Sequence, residues 1–156
     1  MKPVVPILAA ALALPFAAQG ADLQYFPVTP RPGAPTGPGG TSPPFSAAVR
    51  AGDTVYLSGT TDGGDAAVQP GEPPEAAARR VLDNLKRTAE AAGVTMDDLV
   101  WVQIFCSDLK LYASFNAVYR TYFKGPNLPT RAFLGADHLL GNAHFEVMGI
   151  AVRPAK

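Results

Sequence analysis

The segment that most constrains the fold is residues 74–93, PEAAARRVLDNLKRTAEAAG. Val81, Leu82, Leu85, Ala89 and Ala92 recur at helical spacing and so share one face of an α-helix. Pro74 suits the first turn, where no intrahelical N–H bond is lost, and Glu75 suits the positive end of the helix dipole. Gly93 is a natural residue to follow the last turn. Arg79, Arg80, Asp83, Lys86, Arg87 and Glu90 fall mostly on the opposite side and read as a solvated face. Such a helix cannot bury its apolar stripe alone. It needs a sheet or a second helix, and the rest of the chain supplies both.

Residues 21–28, ADLQYFPV, read as a short first strand. In FSAAVRAGDTVYLSGTT, 45–61, the β-rich runs Ala47–Arg50 and Thr54–Ser58 flank Ala51-Gly52-Asp53, a hairpin signature. DLVWVQIFCSDL, 98–109, is another β-rich run. KLYASFNAVYRTYFKG, 110–125, predicts a second amphipathic helix with a stripe of Leu111, Phe115, Val118, Tyr119 and Tyr122. Asn116 sits mid-helix, where Asn is a weak helix former. TRAFLGAD, 130–137, and HFEVMGIAV, 144–152, close the chain as two strands. The order β, hairpin, α, β, α, β, β predicts an α+β sandwich with both helices on one face of a mixed sheet. The other face is then left to an oligomer partner.

The chain of 156 residues, 47% of them hydrophobic, suits one domain. The N-terminus, MKPVVPILAAALALPFAAQGAD, has a lysine, an apolar stretch and then small residues. This is the pattern of a signal peptide over residues 1–20 with cleavage before Ala21, and predicts an exported protein, periplasmic or secreted, with no membrane association afterwards. Residues 29–44, TPRPGAPTGPGGTSPP, complete an N-terminal portion, 21–44, as a Pro/Gly-rich connector. The folded unit is expected over 45–156. Formal net charge is zero and no basic run occurs, which weighs against nucleic acid as a partner. The single cysteine, Cys106, excludes an intramolecular disulfide and reads as a small buried residue.

Two charges interrupt the apolar pattern of the last strands. Arg131 stands at the mouth of Ala132-Phe133-Leu134, and Glu146 stands inside HFEVMGIAV. A buried charge without a partner is costly, so each is paired or functional. From the pattern alone, a mutual ion pair and a functional pair stand even. His138 and His144 bring no ligand set with them, so no metal is expected. No phosphate loop, dinucleotide fingerprint or nucleophile elbow occurs, and no cofactor is expected. Ser58 in YLSGTT would act as a nucleophile only beside a base, which the sequence does not place there.

The stretches VYLSG (55–59), VLDNLKRTAEAAG (81–93), DDLVWVQIFCSDL (97–109), FNAVYRTYF (115–123), PTRAF (129–133) and FEVMGIAV (145–152) together resemble the Rid family of imine deaminases, formerly the YjgF family. The resemblance spans about the last 110 residues. It implies a chorismate-mutase-like fold, a homotrimer with sites between subunits, and hydrolysis of 2-imino acids such as 2-iminobutanoate and 2-iminopropanoate without a cofactor. By resemblance, Arg131 binds the substrate carboxylate and Glu146 activates water. Gly59, with Ser58 beside it, Asn116 and the main chain around Phe133 match site-lining positions. Phe45 stands where a tyrosine is common and Phe133 where a cysteine is common; Thr60 replaces a frequent glutamine, and ADHLLGNAH lacks the usual Leu-Pro turn. These departures bear on the substrate. They leave a second reading, a non-catalytic carboxylate-binding protein on the same scaffold, and a third, an endoribonuclease, which the neutral charge disfavours.

Overall fold

The structure, a computed structural model, describes residues 22–28, 43–69, 72–73 and 75–154. The signal segment 1–20 and nearly all of the connector 29–44 lie outside the described residues.

The hairpin forms where expected. β2 (Ser46–Ala51) and β3 (Thr54–Thr61) pair antiparallel, and Gly52 takes the turn with φ +60°. β1 (Leu23–Pro27) adds to β2. α1 (Glu75–Ala91) buries Val81, Leu82, Leu85 and Ala89 as the spacing predicts, and Ala77 and Ala78 with them. It stops at Gly93, φ +81°, where the Val94 N–H reaches back to the Ala89 carbonyl at 3.0 Å.

β4 (Leu99–Cys106), α2 (Tyr112–Tyr119) and β5 (Thr130–Gly135) make one crossover, so β4 and β5 are parallel. β6 (Phe145–Val152) then inserts between β3 and β4, antiparallel to both. The sheet order is β1-β2-β3-β6-β4-β5. α2 is shorter than the helix predicted over 110–125. It carries a 3₁₀ turn at each end, Leu109–Leu111 and Arg120–Tyr122. The expected stripe survives, with Phe115, Val118 and Tyr119 buried.

Lateral neighbours in a sheet share a face. One row runs Phe26, Ala48, Leu57, Gly149, Val102, Arg131 across all six strands, under the helices. The next row, Tyr25, Val49, Tyr56, Ile150, Trp101, Thr130, lies on the other face, which no helix covers among the described residues. Tyr25 is 63% exposed and Tyr56 50%. The sheet therefore presents a broad apolar face, as the sequence predicts. One expectation is corrected. Arg131 does not open a buried strand; β5 is an edge strand, and Arg131 is half-buried.

Candidate functional site

Arg131 projects from β5 beneath α2, and α2 is built to receive it. Its Nη1 donates to Asn116 Oδ1 at 2.7 Å, and its Nη2 lies 3.5 Å from the Tyr112 hydroxyl. The guanidinium carbon stands 4.9 Å from the centre of the Tyr119 ring, with Phe133 and Tyr112 at 5.7 and 5.8 Å. Rings at these distances hold a planar cation by its faces and leave its edge N–H groups free to donate. This explains a weak helix former at 116: the Asn carbonyl fixes the arginine. Beside it opens a cleft of about 290 Å³ lined by Tyr112, Asn116, Tyr119, Arg120, Leu128, Pro129 and Arg131. Burial holds the Tyr119 hydroxyl protonated, its pKa pushed up to about 12.

Glu146 lies on the opposite face. Its sheet neighbours are Thr61 and Phe105, in the row without a helix above it. Its carboxylate crosses over Gly59, where a Cβ would collide with Oε1. Gly59 lies in the bulge between Leu57 and Thr60, and the absence of a side chain there is what admits the carboxylate. Ser58 donates its hydroxyl to the Ser46 carbonyl at 2.7 Å, a bond that ties β3 to the start of β2. This makes Ser58 a strand tie. Phe45 directly precedes Ser46 and is 54% exposed.

The residues read from the sequence therefore fall into two groups. Arg131, Asn116 and Phe133 meet under α2; Glu146 meets Gly59 across β3 and β6, while Ser58 beside Gly59 bonds toward β2, next to Phe45. Phe133 packs edge-on against Tyr112 and Phe115, at 4.9 and 5.4 Å between ring centres, and is absent from the cleft wall. Its bulk is taken up by the core rather than by the site. From strand spacing and rise, the Arg131 and Glu146 Cα positions lie about 14 Å apart, on opposite faces. Among the described residues no ion pair joins them, so the mutual pair left open by the sequence does not form.

The sequence reading missed a buried charge nearby. Asp62, 2% exposed, directly follows β3 and accepts the His144 and Phe145 N–H groups at 2.8 and 3.1 Å. The His144 ring Nδ1 lies 2.9 Å from its other oxygen. Arg80 donates to the Asp62 carbonyl at 3.0 Å and also pairs with Glu72. Arg80 is thus part of a clamp and not of a solvated face. Among the described residues, no three of His, Cys, Asp and Glu gather as a metal site would need.

Residues 39–153 match the family described as Endoribonuclease L-PSP. The chain belongs to this family, which is the Rid/YjgF family. A curated relative, the 2-iminobutanoate/2-iminopropanoate deaminase of Dermatophagoides farinae, is 34% identical over 113 residues, spanning 70% of this chain and 85% of the relative. Among solved structures, the YjgF gene product of E. coli is 29% identical with a TM-score of 0.65, covering 80% of this chain and 96% of its own. The TdcF protein of E. coli, solved with bound serine, is 27% identical with a TM-score of 0.67, covering 84% and 100%. The Rid-family fold expected from the sequence is thus the one observed. In this Rid-family chain the cleft residues Tyr112, Tyr119, Arg120, Leu128 and Pro129 escaped sequence reasoning. The helical spacing of 112, 116, 119 and 120 was the available signal.

Proposed function

We propose that this chain is a hydrolytic deaminase of 2-imino acids, releasing 2-oxo acid and ammonia. The observation that carries this reading is Arg131: a guanidinium held by an amide carbonyl and aromatic rings, opening on a cleft whose wall contains no Asp or Glu. Such a group is a receptor for a carboxylate from outside the chain. The 34% identity to a named 2-iminobutanoate/2-iminopropanoate deaminase supports the same ligand class.

In this reading the site lies between copies. Arg131 on one face and Glu146 on the other cannot meet on one substrate within a chain, so a second copy brings its Glu146 face to the Arg131 cleft. The uncovered apolar sheet face supports such an assembly, and the family resemblance supports a homotrimer as its form. Arg131 anchors the carboxylate and presents the imine carbon. Glu146 of the neighbouring copy takes a proton from water as its oxygen bonds to that carbon, and gives a proton to the nitrogen. Glu146 then relays the hydroxyl proton of the resulting carbinolamine to the nitrogen as the C–N bond breaks, so that ammonia leaves and the carbonyl forms. The signal pattern at residues 1–20 supports export to the periplasm or the medium.

The test is release of ammonia and oxo acid from 2-iminobutanoate and 2-iminopropanoate generated in situ by an amino-acid oxidase. Acceleration by the wild type that is lost in Arg131→Ala supports the deaminase. Carboxylate binding without acceleration would move the assignment to a binding protein. That second reading is favoured by Phe45, which offers no hydroxyl, and by the serine bound to TdcF. A ribonuclease would instead show RNA binding that falls steeply with salt.

A further inference from the structure

The cleft beside Arg131 holds a second arginine. Positions 112, 116, 119 and 120 share one helical side, so α2 and the turn after it direct Tyr112, Asn116, Tyr119 and Arg120 to the same wall. The cleft of about 290 Å³ is completed by Leu128, Pro129 and Arg131. None of these residues is acidic. Arg120 is exposed, and among the described residues its side chain enters no ion pair. Arg80, by contrast, is neutralised by Glu72 and Asp62.

Two cations thus face one small concave volume. A monocarboxylate at Arg131 would leave Arg120 without a counter-charge from the described residues of its own chain, while Glu146 of the neighbouring copy is placed at the imine carbon. The rest of the wall, the rings of Tyr112 and Tyr119 with Leu128 and Pro129, suits a short methylene chain. We propose that the cleft selects dicarboxylic 2-imino acids of about four or five carbons. Arg131 takes the carboxylate beside the imine and Arg120 the distal one. This rests on Arg131 being the carboxylate receptor.

The test is calorimetric titration of the purified full chain with 2-oxoglutarate and with 2-oxobutanoate, which share the proximal carboxylate and the oxo group. The diacid is expected to bind about five- to tenfold tighter. In Arg120→Ala the ratio of the two affinities should fall toward one, and in Arg120→Lys it should stay above one. Thermal unfolding of each variant checks that the fold is intact. Equal affinities in the wild type, or a ratio unmoved by Arg120→Ala, would overturn the inference while leaving the receptor reading intact. Failure of either oxo acid to respond to Arg131→Ala would instead remove the receptor reading, and the diacid selection with it.

Discussion

A guanidinium that has lost some freedom before the ligand arrives binds at lower entropic cost. As the proposed carboxylate receptor, Arg131 is in that position, gripped by Asn116 Oδ1 and set over the Tyr119 ring. Truncation to Ala removes charge-assisted hydrogen bonds, each contributing about 1.5–3 kcal/mol, so 2-oxobutanoate affinity should fall at least tenfold by calorimetry. Asn116→Ala should cost less, because the cation remains and its aim alone is relaxed. Gly59→Ala is expected to abolish imine hydrolysis while the chain still folds, since the new methyl takes the place of the Glu146 carboxylate. Burial also sets an alkaline limit. Tyr119 keeps its proton up to about pH 12 in the fold but loses it near pH 10 when unfolded. Its contribution to stability is therefore present below pH 10 and declines as pH rises from there. Tyr119→Phe should flatten that decline in a series of unfolding curves. At this scale the sequence was informative where a residue broke a local pattern. Arg131, Glu146 and Asn116 each did so. Asp62 did not, because a polar residue after Gly59-Thr60-Thr61 looks like any loop residue until the fold buries it.

Among the elements, the end of β3 and the start of β6 must stay in register for Gly59 to meet Glu146. Asp62 holds that register by accepting both the His144 and Phe145 N–H groups. Arg80 ties the same point to α1. Asp62→Ala leaves these donors buried without a partner and removes one of the two carboxylates beside Arg80. A loss of about 3–5 kcal/mol in denaturant unfolding is expected. Cys106 belongs to the same region as a packing residue. Burial pushes its thiol pKa up, so a thiol reagent at pH 8 should label the unfolded chain and spare the native one. Strand and helix identities were legible because they rest on local periodicity: the α1 stripe at Val81, Leu82, Leu85 and Ala89 reads directly. The length of α2 was not, since both its ends pass into 3₁₀ turns that keep much of the helical spacing.

For the whole molecule, the face each charge occupies decides whether the proposed site can form within one chain. That face follows from pairing: β5 runs parallel to β4 with Arg131 beside Val102, and β6 antiparallel with Glu146 beside Phe105. Shifting either strand by one residue would bring the two charges to the same side. Register between strands distant in sequence is not a local property, which is why the sequence left an Arg131–Glu146 ion pair open. The same pairing leaves Tyr25, Tyr56 and Trp101 on an uncovered face suited to other copies of the chain. The most direct test of this account is to co-express Arg131→Ala with Glu146→Gln, each inactive alone. If every site takes its arginine from one copy and its glutamate from the next, random assembly into the proposed trimer completes one site in each mixed trimer, and the co-expressed population as a whole regains about a quarter of the wild-type imine hydrolysis. Mixed oligomers as inactive as either parent would contradict a shared site and place the chemistry elsewhere.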